Sequence, residues 1–162
     1  MPIISIEPLS RKASRMQDYD YSNDGAYFVT ICVKGRHALL GKVVGNTVLL
    51  SSLGEIAESA IQSIATAYDT VTVDRYVIMP NHVHLLLLLR REFSGCKPPT
   101  VSRIIQQWKG VITKQAGFAF WQRSFYDHII KDSRSYQRIV KYIDENPLRW
   151  KEDRFFISDV IL

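Results

Sequence analysis

The spacing of apolar positions changes several times along this chain, and each change marks an element. Ala26 to Val33 (Ala-Tyr-Phe-Val-Thr-Ile-Cys-Val) is rich in β-branched and aromatic residues and predicts a first strand. Leu39 to Val44 and Thr47 to Leu50, split by Gly45-Asn46, predict a hairpin. Ser52-Leu-Gly-Glu55 has a capping-box pattern opening a helix to about Ala67, with Ile56, Ala60, Ile61 and Ile64 as its inner stripe. Val71 to Met79 and His82 to Leu89 predict two strands joined by Pro80-Asn81. After a loop over Gly95 to Pro99, Thr100 caps a second helix carrying Val101, Ile104, Ile105, Trp108 and Ile112 at helical spacing. Phe118 to His128 is aromatic and irregular. Asp132 or Ser133 caps a third helix, with Tyr136, Ile139, Val140 and Ile143 facing inward, which ends where Pro147 forbids continuation.

This order of elements predicts an α+β fold, a ferredoxin-like antiparallel sheet with helices and additions. Residues 1–20 form an arm holding Arg11, Lys12 and Arg15, and Ser22 to Gly25 a turn. Residues 21–150 form a single domain and residues 151–162 a tail with room for a short strand. At 162 residues such a chain buries roughly 68–70% of its unfolded surface.

Composition narrows the class. Hydrophobic residues make up 46% and charged residues 23%, which excludes a disordered polyelectrolyte. No signal-peptide pattern opens the chain, and the apolar run Val83 to Leu89 is too short to span a bilayer, so a cytoplasmic protein off the membrane is expected. Cys32 and Cys96 are isolated and lack metal spacing, in keeping with a reducing compartment. The net charge of +5 is unevenly placed. Residues 1–96 carry nine Lys/Arg and nine Asp/Glu, whereas residues 97–162 carry twelve and seven. A basic half on a neutral half suits a polyanion, though solvated helices give the same pattern.

Candidate chemistry concentrates at two places. His82-Val83-His84 puts two imidazoles on the same face of one strand, in a run otherwise apolar enough for a sheet centre. A buried strand has no structural need for such a pair, which is therefore metal-binding or polar for another functional reason. On the third helix, Tyr142 and Asn146 stand one turn apart along the edge of the apolar stripe, where a cleft-lining side chain would sit. Two imidazoles and one amide oxygen, with positions left open, suit a divalent ion such as Mg or Mn better than closed structural zinc. Tyrosine can serve as a covalent nucleophile, and a metal polarising a phosphate offsets the weakness of a phenol with pKa about 10.

Met79-Pro-Asn-His-Val-His84, Trp121-Gln-Arg-Ser-Phe-Tyr-Asp-His-Ile-Ile130 and Tyr142-Ile-Asp-Glu-Asn-Pro147 together resemble the REP-associated tyrosine transposases of the single-tyrosine HUH superfamily. The resemblance runs from about Tyr19, through Gly25-Ala-Tyr-Phe-Val-Thr-Ile31, to about Trp150. It implies an HUH-endonuclease fold in which His82 and His84 are metal ligands and Tyr142 is the nucleophile. Asn146 would be the third polar ligand, where relatives frequently carry Gln. It further implies attack on single-stranded DNA bearing hairpin or repetitive elements, a 5′-phosphotyrosine link, a free 3′-OH and no organic cofactor. Superfamily members occur as monomers and as dimers, so a homodimer remains open.

Around these residues, Lys109, Lys114, Arg123, Lys131, Arg134, Arg138 and Lys141 are candidate phosphate contacts or ordinary solvated charges, Arg138 standing one turn before Tyr142. Trp121, Phe118, Phe120, Phe125 and Tyr126 could stack unpaired bases or fill the core. His128 has a structural hydrogen bond as its simpler reading, and His37 no assignable part. Two rival readings stay in view: a nucleic-acid-binding ferredoxin-like protein without catalysis, and a metallonuclease in which activated water replaces Tyr142.

Overall fold

The computed structural model describes residues 25–90 and 99–157. The expected arm, most of the Ser22 to Gly25 turn and most of the Gly95 to Pro99 loop lie outside them. Among the described residues the strands are β1 (Gly25–Cys32), β2 (Gly41–Val44), β3 (Thr47–Leu50), β4 (Val71–Met79), β5 (His82–Leu89) and β6 (Tyr126–Ile130). The helices are α1 (Ser52–Ala67), α2 (Val101–Ala116) and α3 (Ser133–Glu145).

Four strands form one sheet in the order β4-β5-β1-β6, every neighbouring pair antiparallel. With α1 between β1 and β4, and α2 between β5 and β6, this is the expected ferredoxin-like arrangement. The β2–β3 hairpin is the addition, turning at Gly45 with φ of 62°.

Each face of the sheet is built from alternate residues. Val29, Ile31, Val83, Leu85, Leu87 and Leu89 point to one side and pack with Ile61, Ile64, Ile104, Ile105 and Trp108 of α1 and α2. Phe28 and Leu86 point to the other and pack with Ile139 and Ile143 of α3. Beyond them, Cys32 and Met79 meet Trp150 and Phe155, which follow α3, and Val43 and Val48 of the hairpin.

Two predicted boundaries shift for identifiable reasons. The cap of α1 is Ser51, one residue before the predicted Ser52: its hydroxyl accepts from Gly54 N–H and donates to the Leu39 carbonyl at 2.5 Å. Of two adjacent serines, only Ser51 lies beside the chain arriving at β2. Gly54 is also needed there, because a Cβ at that position would collide with the Leu40 carbonyl. The region expected to be irregular up to His128 contains β6, which pairs with β1 from Thr30↔Tyr126 to Ala26↔Ile130. Its five residues, Tyr-Asp-His-Ile-Ile, lack a clean alternation because an edge strand exposes its margins.

The tail has no strand within its described part. It makes a 3₁₀ turn at Trp150–Glu152 and then folds back against β5.

Candidate active site

The site grows out of β5, a strand paired on both sides. His82 and His84 lie opposite Cys32 and Thr30 of β1 and opposite Met79 and Val77 of β4, so both rings leave the sheet on the α3 side. Both histidines are fully buried, with ring centroids 4.6 Å apart. Each Nδ1 is occupied: that of His84 meets Thr30 Oγ1 at 2.8 Å, and that of His82 meets Asn81 Oδ1 at 2.8 Å. Each Nε2 is buried and has no hydrogen-bond partner. Burial disfavours the charged ring, so His82 is held well below its ordinary range, with His84 adding to the effect. His84 is pushed down to about 3 by burial and then by the positive charge of Arg154. Both rings are thus neutral at pH 7, the state in which imidazole ligates metals.

Helix α3 brings Tyr142 and Asn146 over the same spot. Asp132 caps that helix by accepting from Ser135 N–H at 2.7 Å, and Pro147 follows its end. The Tyr142 ring stands 5.3 Å from that of His84 and 6.0 Å from that of Phe28, centroid to centroid. Asn146 is buried, with Oδ1 unpartnered, and lies close enough to influence the proton equilibria of His82, Tyr142 and Asp153. Burial, then the Asp153 carboxylate, pushes the Tyr142 phenol up to about 12, against the opposing pull of Asn146 and Arg154.

Asp153 is a site residue that sequence reasoning missed. Its side chain is almost wholly buried, one carboxylate oxygen lies 3.9 Å from His82 Nε2, and the other accepts from Phe155 N–H at 2.8 Å. Burial raises its pKa above the usual carboxylate range, against the pull of that N–H, Asn146 and Arg154. Donor atoms of His82, His84 and Asp153 all lie within 4.8 Å of one another. Two unpartnered imidazole nitrogens, a carboxylate and an orphaned amide oxygen fit a divalent cation. Phe155, 4.5 Å from the His82 ring, and Trp150 wall the site, and Arg36 lies over the Phe155 ring. No sequence motif pointed to these tail residues. Thr30 and Asn81 stood inside the recognised motifs and could have been found from the need of a ligating histidine for a partner on its second nitrogen.

The expected phosphate and base contacts separate into two groups. Arg123, Lys131, Arg134, Arg138 and Lys141 are exposed, Lys141 lying 3.9 Å from Glu145. Lys109 is directed inward, donating to the Gln122 and Ser124 carbonyls at 2.8 and 2.9 Å, where it pins the loop before β6. Trp121 is buried among Trp108 and Phe120, with centroids 4.9 and 4.7 Å away, so it is core. Phe120 and Phe125 are buried too, whereas Phe118 is half exposed. An open groove between β4 and α3 gathers Asp74, Asp144 and Glu145 against Arg75 and Lys141, an unfavourable balance for a phosphodiester.

The chain is similar to several known proteins. A 31% identical protein of Haemophilus influenzae, uncharacterized, aligns over 91% of this chain and 94% of its own length. A second protein of that species, assigned as a REP-associated tyrosine transposase, is 25% identical over 80% of this chain and 74% of its own. Among solved structures, a REP-associated tyrosine transposase bound to a REP hairpin superposes with a TM-score of 0.63 at 23% identity, covering 83% of this chain and 74% of that one. A Deinococcus radiodurans protein assigned as a transposase gives 0.50 at 18% identity, over 80% and 95%. The family model described as "Transposase IS200 like" matches residues 22–146, and this chain belongs to that family of DNA-processing enzymes.

Proposed function

We propose that this chain cuts and rejoins single-stranded DNA through Tyr142, with a divalent metal, Mg or Mn, held by His82 and His84. Asp153 and Asn146 complete the donor set. The observation that carries this reading is the pair of unpartnered imidazole nitrogens facing the space beside the Tyr142 ring. When bound, the ion would polarise a phosphate oxygen as a Lewis acid.

The chain's own residues supply the rest. The phenol oxygen of Tyr142 attacks phosphorus, forming a 5′-phosphotyrosine link as the bond to the 3′ oxygen breaks. The phenol proton passes to solvent and the departing oxygen takes one up as a 3′-OH, so no cofactor is consumed. Attack by a 3′-OH on the phosphotyrosine reverses these changes and joins strands. A phenol held near 12 needs positive surroundings, and Arg154 already lowers it. The basic half of the chain, with Arg123, Lys131, Arg134, Arg138 and Lys141 exposed, would hold the strand. Hairpin-bearing or repetitive DNA is the preferred substrate class, by analogy with the REP hairpin bound by the structural relative.

The test is to incubate wild type and Tyr142→Phe with labelled hairpin oligonucleotides and Mg or Mn, then resolve the products under denaturing conditions. A protein–DNA adduct in wild type, lost in the variant, is expected. Cleavage without an adduct would instead favour activated water, and binding without cleavage a purely binding protein.

A further inference from the structure

Asn81 has a fully committed side chain directly beside the candidate metal ligands. It is 1% exposed and occupies the two-residue turn between β4 and β5. That turn is held by its backbone, since Val33 N–H donates to the Asn81 carbonyl and Leu40 N–H to that of Pro80, both at 2.9 Å. The side-chain amide nitrogen donates to two carbonyls, Phe155 at 2.7 Å and Arg36 at 3.2 Å. Two acceptors on that side settle which way the amide points: its oxygen must face His82. An amide oxygen only accepts, so the His82 Nδ1 at 2.8 Å must carry the proton. His82 Nε2 is then a bare lone pair, aimed into the space shared with His84 and Asp153.

We propose that Asn81 is a positioning residue that sets the His82 tautomer and, with the same amide, seats the segment bearing Asp153 against that ring. This deepens the metal-site reading and rests on it. The amide joins the β4–β5 turn, the chain following β1 at Arg36 and the tail at Phe155. Phe155 N–H in turn bonds the Asp153 carboxylate, so the amide's reach extends to the third ligand candidate. Partners of this kind typically change metal affinity about 10- to 100-fold when removed.

The experiment uses the full chain, metal-free and with Mn. Ring ¹⁵N shifts of His82 should show the proton on Nδ1 in wild type. Asn81→Asp keeps an acceptor for that proton but repels the Phe155 carbonyl; Asn81→Ala loses both functions. Asn81→Asp should retain the tautomer while the amides of residues 153–156 exchange faster, and Asn81→Ala should show a mixed tautomer as well. Mn affinity by calorimetry should fall about 10- to 100-fold in Asn81→Ala. A wild-type His82 protonated on Nε2 overturns the proposal without any variant, as do unchanged exchange and tautomer in both folded variants. Failure of wild type to bind Mn, with tautomer and exchange as expected, would instead remove the metal reading and leave the positioning intact.

Discussion

The two faces of the sheet follow opposite rules. Beneath α1 and α2, β1 and β5 present an unbroken apolar surface, sealed by two amphipathic helices. Beneath α3 and the tail, the same strands present Phe28 and Leu86 and then Thr30, His82 and His84, leaving two imidazole nitrogens and the Asn146 amide oxygen unpartnered inside. Buried polar groups without partners are expensive, and a fold tolerates them chiefly where something else will satisfy them. One face therefore holds the molecule together, and the other keeps a place for chemistry at a cost in stability.

Substitutions on each face should separate these tasks. Tyr142→Phe should lower strand cleavage at least about a thousandfold while leaving the melting temperature almost unchanged. Cleavage assays beside calorimetry will read both, and substantial residual adduct would break the contrast. On the opposite face, Leu87→Ala removes a fully buried side chain and should cost about 2–5 kcal/mol of stability. Denaturant titration measures that loss, and Mn affinity of the molecules still folded should not move. Mn at a hundredfold excess over its dissociation constant should add about 2.7 kcal/mol to unfolding, an increment missing from His82→Gln/His84→Gln.

A smaller effect follows pH. His82 and His84 are depressed on folding, so below about 6.5 the unfolded chain binds more protons than the native one. Stability should then fall with acid below about pH 6.5, for His84 down to about pH 3, by up to about 1.4 kcal/mol per unit for each ring. Asp153 is raised and acts in the opposite sense just above its unfolded value, because its protonated form is favoured in the native state. The histidine double variant should show a flatter profile; an equally steep one would place the acid sensitivity elsewhere. Least of all, Lys131→Ala/Arg134→Ala should make single-strand binding less sensitive to salt, the log–log slope shrinking by about 0.7 for each phosphate that is no longer neutralised.

The apolar face was legible in the sequence because burial writes itself as period. The α2 stripe and the β4–β5 hairpin match their patterns residue for residue. Half of the polar face was legible as well, since HxH on a strand and Tyr142 four residues before Asn146 are local relations. Asp153 was not, because its place depends on the chain reversing after Pro147 and packing Trp150 and Phe155 on β5, a tertiary event without a local signature. For Trp121 and Lys109 the sequence left two readings open, for the converse reason. Composition identifies an aromatic or a cation, but only packing decides whether it meets solvent or, as here, a tryptophan neighbour and two carbonyls.

The two halves of the candidate site also lie far apart in the order of synthesis. The imidazoles belong to β5, whose partners β1 and β4 have both emerged by the time it is made, whereas Tyr142, Asn146 and Asp153 all come after α2 and β6. If the proposed function holds, an emerging chain would carry its paired imidazoles before Tyr142 exists, and a ribosome-bound protein would be harmless to nearby DNA until α3 had been completed.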